Sequence, residues 1–127
     1  MSSDPYPDAA AVKAAYVHIP FCRRRCPYCD FAVVDMNGEE PVIDRYVDAI
    51  LTEIGMEEPW GPLEAVNFGG GTPSALSSVQ LARILGRLSA RFGIAAGAEI
   101  SIEANPEDWD ESHAAAIRDV GFNRVSL

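Results

Sequence analysis

Cys22, Cys26 and Cys29 stand within eight residues, and the 127-residue chain holds no other cysteine. An odd number so tightly spaced cannot be satisfied by internal disulfides; in a reducing compartment it reads as metal binding or redox chemistry. Thiolates in C-x3-C-x2-C spacing on one loop can grip three irons of a cubane cluster and leave the fourth iron without a protein ligand. A structural zinc site is the rival: zinc usually takes four ligands, and His18 is placed to supply the fourth. The three-residue gap and the apolar run around His18 do not resemble the C-x2-C pairs of zinc modules, so the cluster is the favoured reading. Buried cysteines with no ligand fit least, because packing does not require clustering on a proline-flanked loop.

Two further segments carry chemistry. Gly69, Gly70 and Gly71 lead into Thr72-Pro73, and glycine there lets the backbone approach a ligand closely. They form no Walker loop, since no Gly-Lys-Ser/Thr follows. The second segment is Glu103-Ala-Asn-Pro106. Each has a plainer reading: a tight turn for the glycines, a solvated strand-end charge for Glu103, a core aromatic for Tyr16, a hydrogen-bonded core residue for His18. Arg23-Arg-Arg25 is the only basic cluster and reads as a solvated loop whose charge could offset an anionic cluster or attract a reductant or carboxylates.

The elements that must position these residues follow from hydrophobic period. Residues 1–14 hold two prolines and no sustained pattern, and read as a leader. Ala15 to Ile19 is short, β-branched and aromatic and stops at Pro20, as a strand entering the cysteine loop would. Pro41 opens a helix in which Ile43, Tyr46, Val47, Ile50, Leu51 and Ile54 share one face. Glu64 to Phe68 is a second strand running into the glycines. Ser77 and Gln80 have capping-box spacing and start a helix that buries Leu81, Ile84, Leu85, Leu88 and Phe92 and ends at Gly93. Ala98 to Glu103 is a third strand, Asp110 to Val120 a third helix stopped by Gly121, and Asn123 to Leu127 begins a fourth strand. The alternation predicts an α/β fold with a parallel sheet, three β/α units plus a fourth strand of an incomplete TIM-like barrel. All three chemically loaded segments then fall at carboxyl ends of strands, where such folds place their sites.

The formal charge of −9 argues against a nucleic-acid surface. No apolar run approaches the roughly 20 residues of a membrane span, and no signal or transit pattern opens the chain, so a cytoplasmic protein is expected.

Read together, Tyr16-Val-His-Ile-Pro-Phe-Cys22-Arg-Arg-Arg-Cys26-Pro-Tyr-Cys29-Asp-Phe31, Gly69-Gly-Gly-Thr-Pro-Ser74 and Glu103-Ala-Asn-Pro106 resemble the oxygen-independent coproporphyrinogen III oxidase family of radical S-adenosylmethionine (SAM) proteins. Within that family they are most similar to the HemW-type heme chaperones. The resemblance runs from Tyr16 to Leu127. It implies that Cys22, Cys26 and Cys29 ligate a 4Fe–4S cluster, whose open iron takes SAM's methionine amino and carboxylate groups for one-electron cleavage to a 5′-deoxyadenosyl radical. It also implies that Tyr16 lies beside SAM, Tyr28 against its adenine, Gly70, Gly71 and Thr72 at its methionine end, and Glu103 in contact with it, while Phe68 and Gly69 serve as scaffold. The oxidases of the family extend the motif with a glycine and a fourth cysteine; here those positions are Asp30 and Phe31, the form of the heme chaperones. Heme or a porphyrin, heme-accepting proteins and a flavodoxin- or ferredoxin-like electron donor are the partners so implied.

Family members are much longer, and the chain stops inside a strand that would have an uncovered edge. A truncated radical SAM core over residues 15–127 is therefore expected, one that binds its cluster weakly or not at all in isolation.

Overall fold

The computed structural model describes residues 13–22, 34–35, 40–59, 61–73, 76–105 and 110–126. Residues 1–12 of the leader lie outside them. Lys13 and Ala14, expected at its end, belong to the fold: the Lys13 carbonyl accepts from the Glu64 amide at 2.7 Å, and Ala14 opens the first strand.

The elements alternate as the hydrophobic periods require. Strand β1 (Ala14–Ile19) is followed by two short strands, β2 (Phe21–Cys22) and β3 (Val34–Asp35), then α1 (Glu40–Met56), β4 (Leu63–Gly70), α2 (Ser78–Phe92), β5 (Ile94–Glu103), α3 (Glu111–Val120) and β6 (Arg124–Ser126). One sheet has the order β1-β4-β5-β6, with every neighbouring pair parallel. This is the α/β arrangement expected, part of a TIM-like barrel. Consecutive helices pack on one another, α1 on α2 and α2 on α3.

Period-2 alternation gives the sheet two unlike faces. Val17 and Ile19 of β1, Val66 and Phe68 of β4, and Ile100 and Ile102 of β5 are buried in one core with Ile43, Val47 and Leu51 of α1, Leu81, Ile84 and Leu88 of α2, and Ile117 of α3. Phe68 is fully buried and meets Phe122 edge to face, centroids 5.0 Å apart, a geometry that adds to simple burial. Tyr16, His18, Asn67, Ser101, Glu103 and Arg124 occupy the alternate positions, and none of them is buried.

Local signals set the helix ends. Ser77 accepts from the Gln80 amide at 3.1 Å while the Gln80 side chain accepts from the Ser77 amide at 2.9 Å, completing the capping box. Asp110 caps α3 by accepting from the His113 amide at 2.7 Å. Two features exceed the sequence expectation. β5 begins at Ile94, four residues before Ala98, because Gly97 at φ +80° allows a register shift against β4 between Leu63 and Ala65. The β2–β3 pair is too short to show any period.

Candidate functional site

Parallel pairing brings the carboxyl ends of β1, β4 and β5 to one rim, and its register decides which side chains meet there. Tyr16 pairs with Asn67 and His18 with Gly69; Asn67 pairs with Ser101; Ser101 pairs with Arg124 and Glu103 with Ser126. These residues share the face that the helices leave open. Along it, the Ser101 hydroxyl donates to Asn67 Oδ1 at 2.8 Å, and Arg124 meets Glu99 at 2.7 Å.

The rim closes over Gly69. A Cβ at that position would stand 2.8 Å from Glu103 Oε1 and 2.9 Å from the Tyr16 hydroxyl. The absent side chain is thus the space into which a phenol from β1 and a carboxylate from β5 both reach. Tyr16 is 57 % exposed, and its hydroxyl lies 3.3 Å from His18 Nδ1. Partial burial, then the nearby Glu103 charge, push the Tyr16 phenol above its ordinary value of 10.0. It therefore stays protonated at neutral pH, a donor beside an acceptor.

Gly70 has a second requirement. Its φ of +114° lies in the left-handed region, and a Cβ would meet the His18 ring and the Ile19 carbonyl, each at 2.8 Å. Beyond it the turn is tied down by its backbone: the Gly71 amide donates to Ile19 at 2.7 Å and the Thr72 amide to Phe21 at 2.6 Å. Thr72 is buried. The glycine turn is thereby bonded to the stretch that runs into Cys22. Phe21 is fixed in turn by Tyr46, edge to face at 5.2 Å, and the Tyr46 hydroxyl donates to the His18 carbonyl at 2.6 Å.

The root of the cysteine loop is defined at Cys22, whose backbone pairs with Asp35 as β2 meets β3. Cys26, Cys29 and Tyr28 lie outside the described residues, as does the Cys22 side chain. Of the sequence candidates, the structure brings together Tyr16, Gly70, Gly71, Thr72 and Glu103, with the Cys22 backbone beside them. Two residues gain importance. His18, read as a core histidine, stands on the open face, and the alternation Tyr16-Val17-His18-Ile19 already carried that signal. Gly69, read as scaffold, is the point of convergence; seeing this requires the register of three strands, which no local pattern contains.

The radical SAM superfamily model matches residues 16–127. A heme chaperone HemW of Synechocystis sp. is 44% identical over 119 residues, covering 90% of this chain and 29% of that protein. An anaerobilin synthase of Escherichia coli O157:H7 is 40% identical over 120 residues, 91% of this chain and 26% of that protein. The solved coproporphyrinogen III oxidase (HemN) of Escherichia coli, a radical SAM enzyme, superimposes with a TM-score of 0.83 at 32% identity, over 90% of this chain and 27% of its own. The chain thus spans less than a third of the length of these relatives.

Proposed function

The chain belongs to the radical SAM superfamily, and from that premise we propose that it carries the cluster- and SAM-binding part of a heme chaperone of the HemW type. The observation that supports this most is the convergence of the Tyr16 hydroxyl and the Glu103 carboxylate over Gly69, beside a glycine turn bonded to the root of the cysteine loop.

The residues present fit the two groups that the family uses. Cys22, Cys26 and Cys29 are a thiolate donor set suited to a 4Fe–4S cluster with one iron left open. When bound, the cluster supplies the electron that cleaves SAM at its sulfonium. Tyr16 as donor and Glu103 as acceptor suit a ligand bearing hydroxyl groups. Gly71 and Thr72 have committed their amides to Ile19 and Phe21, so what their main chain can offer a ligand is carbonyl oxygen, an acceptor for an ammonium group such as SAM's methionine carries, and Thr72 adds its hydroxyl. Those amides tie the turn to the strand that enters the cysteine loop, so the residues that would hold SAM's methionine end and the root of the loop that would hold the cluster are joined by main-chain bonds.

Cys29-Asp30-Phe31 favours heme handling over porphyrinogen oxidation, since the oxidases place a fourth cysteine where Phe31 stands. The identity to a HemW chaperone supports the same choice. Anaerobic reconstitution of the longer protein that contains this chain is the decisive experiment. Bound iron and sulfide, SAM cleavage on reduction and a heme titration with no turnover of coproporphyrinogen III are expected. Turnover would replace the chaperone by the oxidase; stoichiometric zinc without the brown chromophore would remove the radical SAM chemistry altogether.

A further inference from the structure

Pro20 interrupts the path from β1 to Cys22. It has no amide to donate, and β1 ends one residue before it, at Ile19. The stretch is held through its carbonyls instead. Ile19 accepts from the Gly71 amide at 2.7 Å and Phe21 from the Thr72 amide at 2.6 Å, both from the glycine turn. His18 accepts from the Tyr46 hydroxyl at 2.6 Å, from α1. The buried Phe21 ring stands edge to face with the Tyr46 ring, centroids 5.2 Å apart at 88°. One side chain of α1 therefore touches the chain on both sides of Pro20.

The Tyr46–His18 bond spans 28 residues, and Cys22, Cys26 and Cys29 all lie within that span. It joins the strand that the cysteine loop leaves to the helix that follows the loop. A tie between the two stems shortens what remains free, and so lowers the entropy lost when the loop is ordered further. The main-chain tie at the same root is small, Phe21 with Val34 and Cys22 with Asp35. Burial first, then Glu53 and Tyr16, raise the Tyr46 phenol above 10.0, so at neutral pH it remains a donor. A phenylalanine at this position would supply the ring contact with Phe21; the hydroxyl is what reaches the strand.

We propose that Tyr46 is a positioning residue for the cluster and SAM: through the His18 carbonyl and the Phe21 ring it sets the course of the chain into Cys22 against the Gly70–Thr72 turn. This rests on the functional reading above. Its action runs through the backbone of residues 18–22. Without the hydroxyl the stretch stays bonded to the glycine turn but loses its hold on α1, and turn and loop root can shift together away from the rim at Tyr16 and Glu103.

The test is Tyr46→Phe in the longer protein that contains this chain. Before reconstitution, amide exchange at Gly71 and Thr72 is expected to quicken by about threefold to tenfold, the scale of one neutral hydrogen bond. Exchange at Ala104 and Asn123, whose amides bond between β5 and β6, should change by less than about twofold. After anaerobic reconstitution, iron and sulfide are expected to match the parent, the Kd for SAM to rise by about threefold to tenfold, and the electron paramagnetic resonance spectrum of the reduced, SAM-bound cluster to change shape. Ile117→Val, a truncation in the core beneath α3 of similar expected cost, controls for stability alone and should leave exchange, affinity and spectrum as in the parent. Unchanged exchange at Gly71 and Thr72, parental SAM affinity with a parental spectrum, or an equal loss in Ile117→Val overturns the proposal. A parent protein that takes up no cluster overturns the functional reading instead, and the exchange measurement, which needs neither cluster nor SAM, tells the two failures apart.

Discussion

The two faces of the sheet are made by the same strands, one residue out of step, and they do opposite work. Towards the helices, Val17, Ile19, Val66, Phe68, Ile100 and Ile102 are buried and interlock. On the other face, Tyr16, His18, Asn67, Ser101, Glu103 and Arg124 are polar and at least partly exposed. The inner layers of TIM barrels are dominated by branched apolar side chains; a polar open face is costly to bury without a ligand to meet it. The contrast assigns stability to one face and leaves the other as the proposed ligand-binding face.

The largest expected effect falls on the apolar face. Phe68→Ala removes a fully buried ring and its edge-to-face partner contact with Phe122, and should cost about 3–5 kcal/mol in denaturant unfolding. A loss below about 1 kcal/mol would mean that the sheet is not sealed by this face.

A smaller but more selective effect is expected at Gly69→Ala. The new methyl meets the tips of Tyr16 and Glu103, which can swing aside, so stability should fall by no more than about 1 kcal/mol. Displacing both tips should weaken SAM binding by about tenfold or more in the anaerobically reconstituted longer protein, a change of about 1.4 kcal/mol. Binding at the parental affinity would detach the open face from ligand recognition. Gly70→Ala is a blunter test, because its methyl meets the backbone of Ile19 at a left-handed φ and so disturbs fold and rim together.

The smallest effect is on the tyrosines. Both Tyr16 and Tyr46 titrate above 10.0, each chiefly through burial, with Glu103 adding to the first and Glu53 to the second. Raised values mean that folding favours the neutral phenol. The contribution is fully present below pH 10.0 and is lost as pH rises through the folded-state values. Ultraviolet titration should therefore show two phenolates forming later in the folded than in the unfolded chain. Glu103→Gln should lower the Tyr16 value only in part, because burial is its larger cause, and should move Tyr46 less, through its coupling to Tyr16; a larger movement at Tyr46 than at Tyr16 would show that Glu103 is not the charge that Tyr16 senses.

Much of this was legible before any coordinates. The helices declare themselves because a stripe at i, i+3, i+4, i+7 has one solution, and Ser77 with Gln80 marks an end by chemistry rather than by pattern. The central strands are legible for the same reason at period 2. Ile94 to Gly97 is not, since Ala-Ala-Gly has neither β-branching nor alternation and the register shift that admits it is a property of the pair. Among site residues, Gly70, Gly71, Thr72 and Glu103 stand out by type and place. Gly69 does not: its function is defined by what approaches from β1 and β5, and a chain read in one direction contains no record of approach. Tyr46 and Ile50 show the converse. Their period placed them on the buried face, and they do pack against the core, but only half-buried, at its border beside β1.

Asn123 performs a substitution of a different kind. Its carboxamide donates to the Ala98 carbonyl at 2.8 Å and accepts from the Ile100 amide at 2.8 Å, while its own amide donates to the Ile100 carbonyl at 2.8 Å. A side chain here impersonates a peptide group, giving β5 a partner one step before β6 begins. The start of the fourth strand is therefore pinned by a side chain as well as by main chain: Asn123→Leu removes the two carboxamide bonds and leaves the Asn123 amide on Ile100 and the β5–β6 pairing to keep the register.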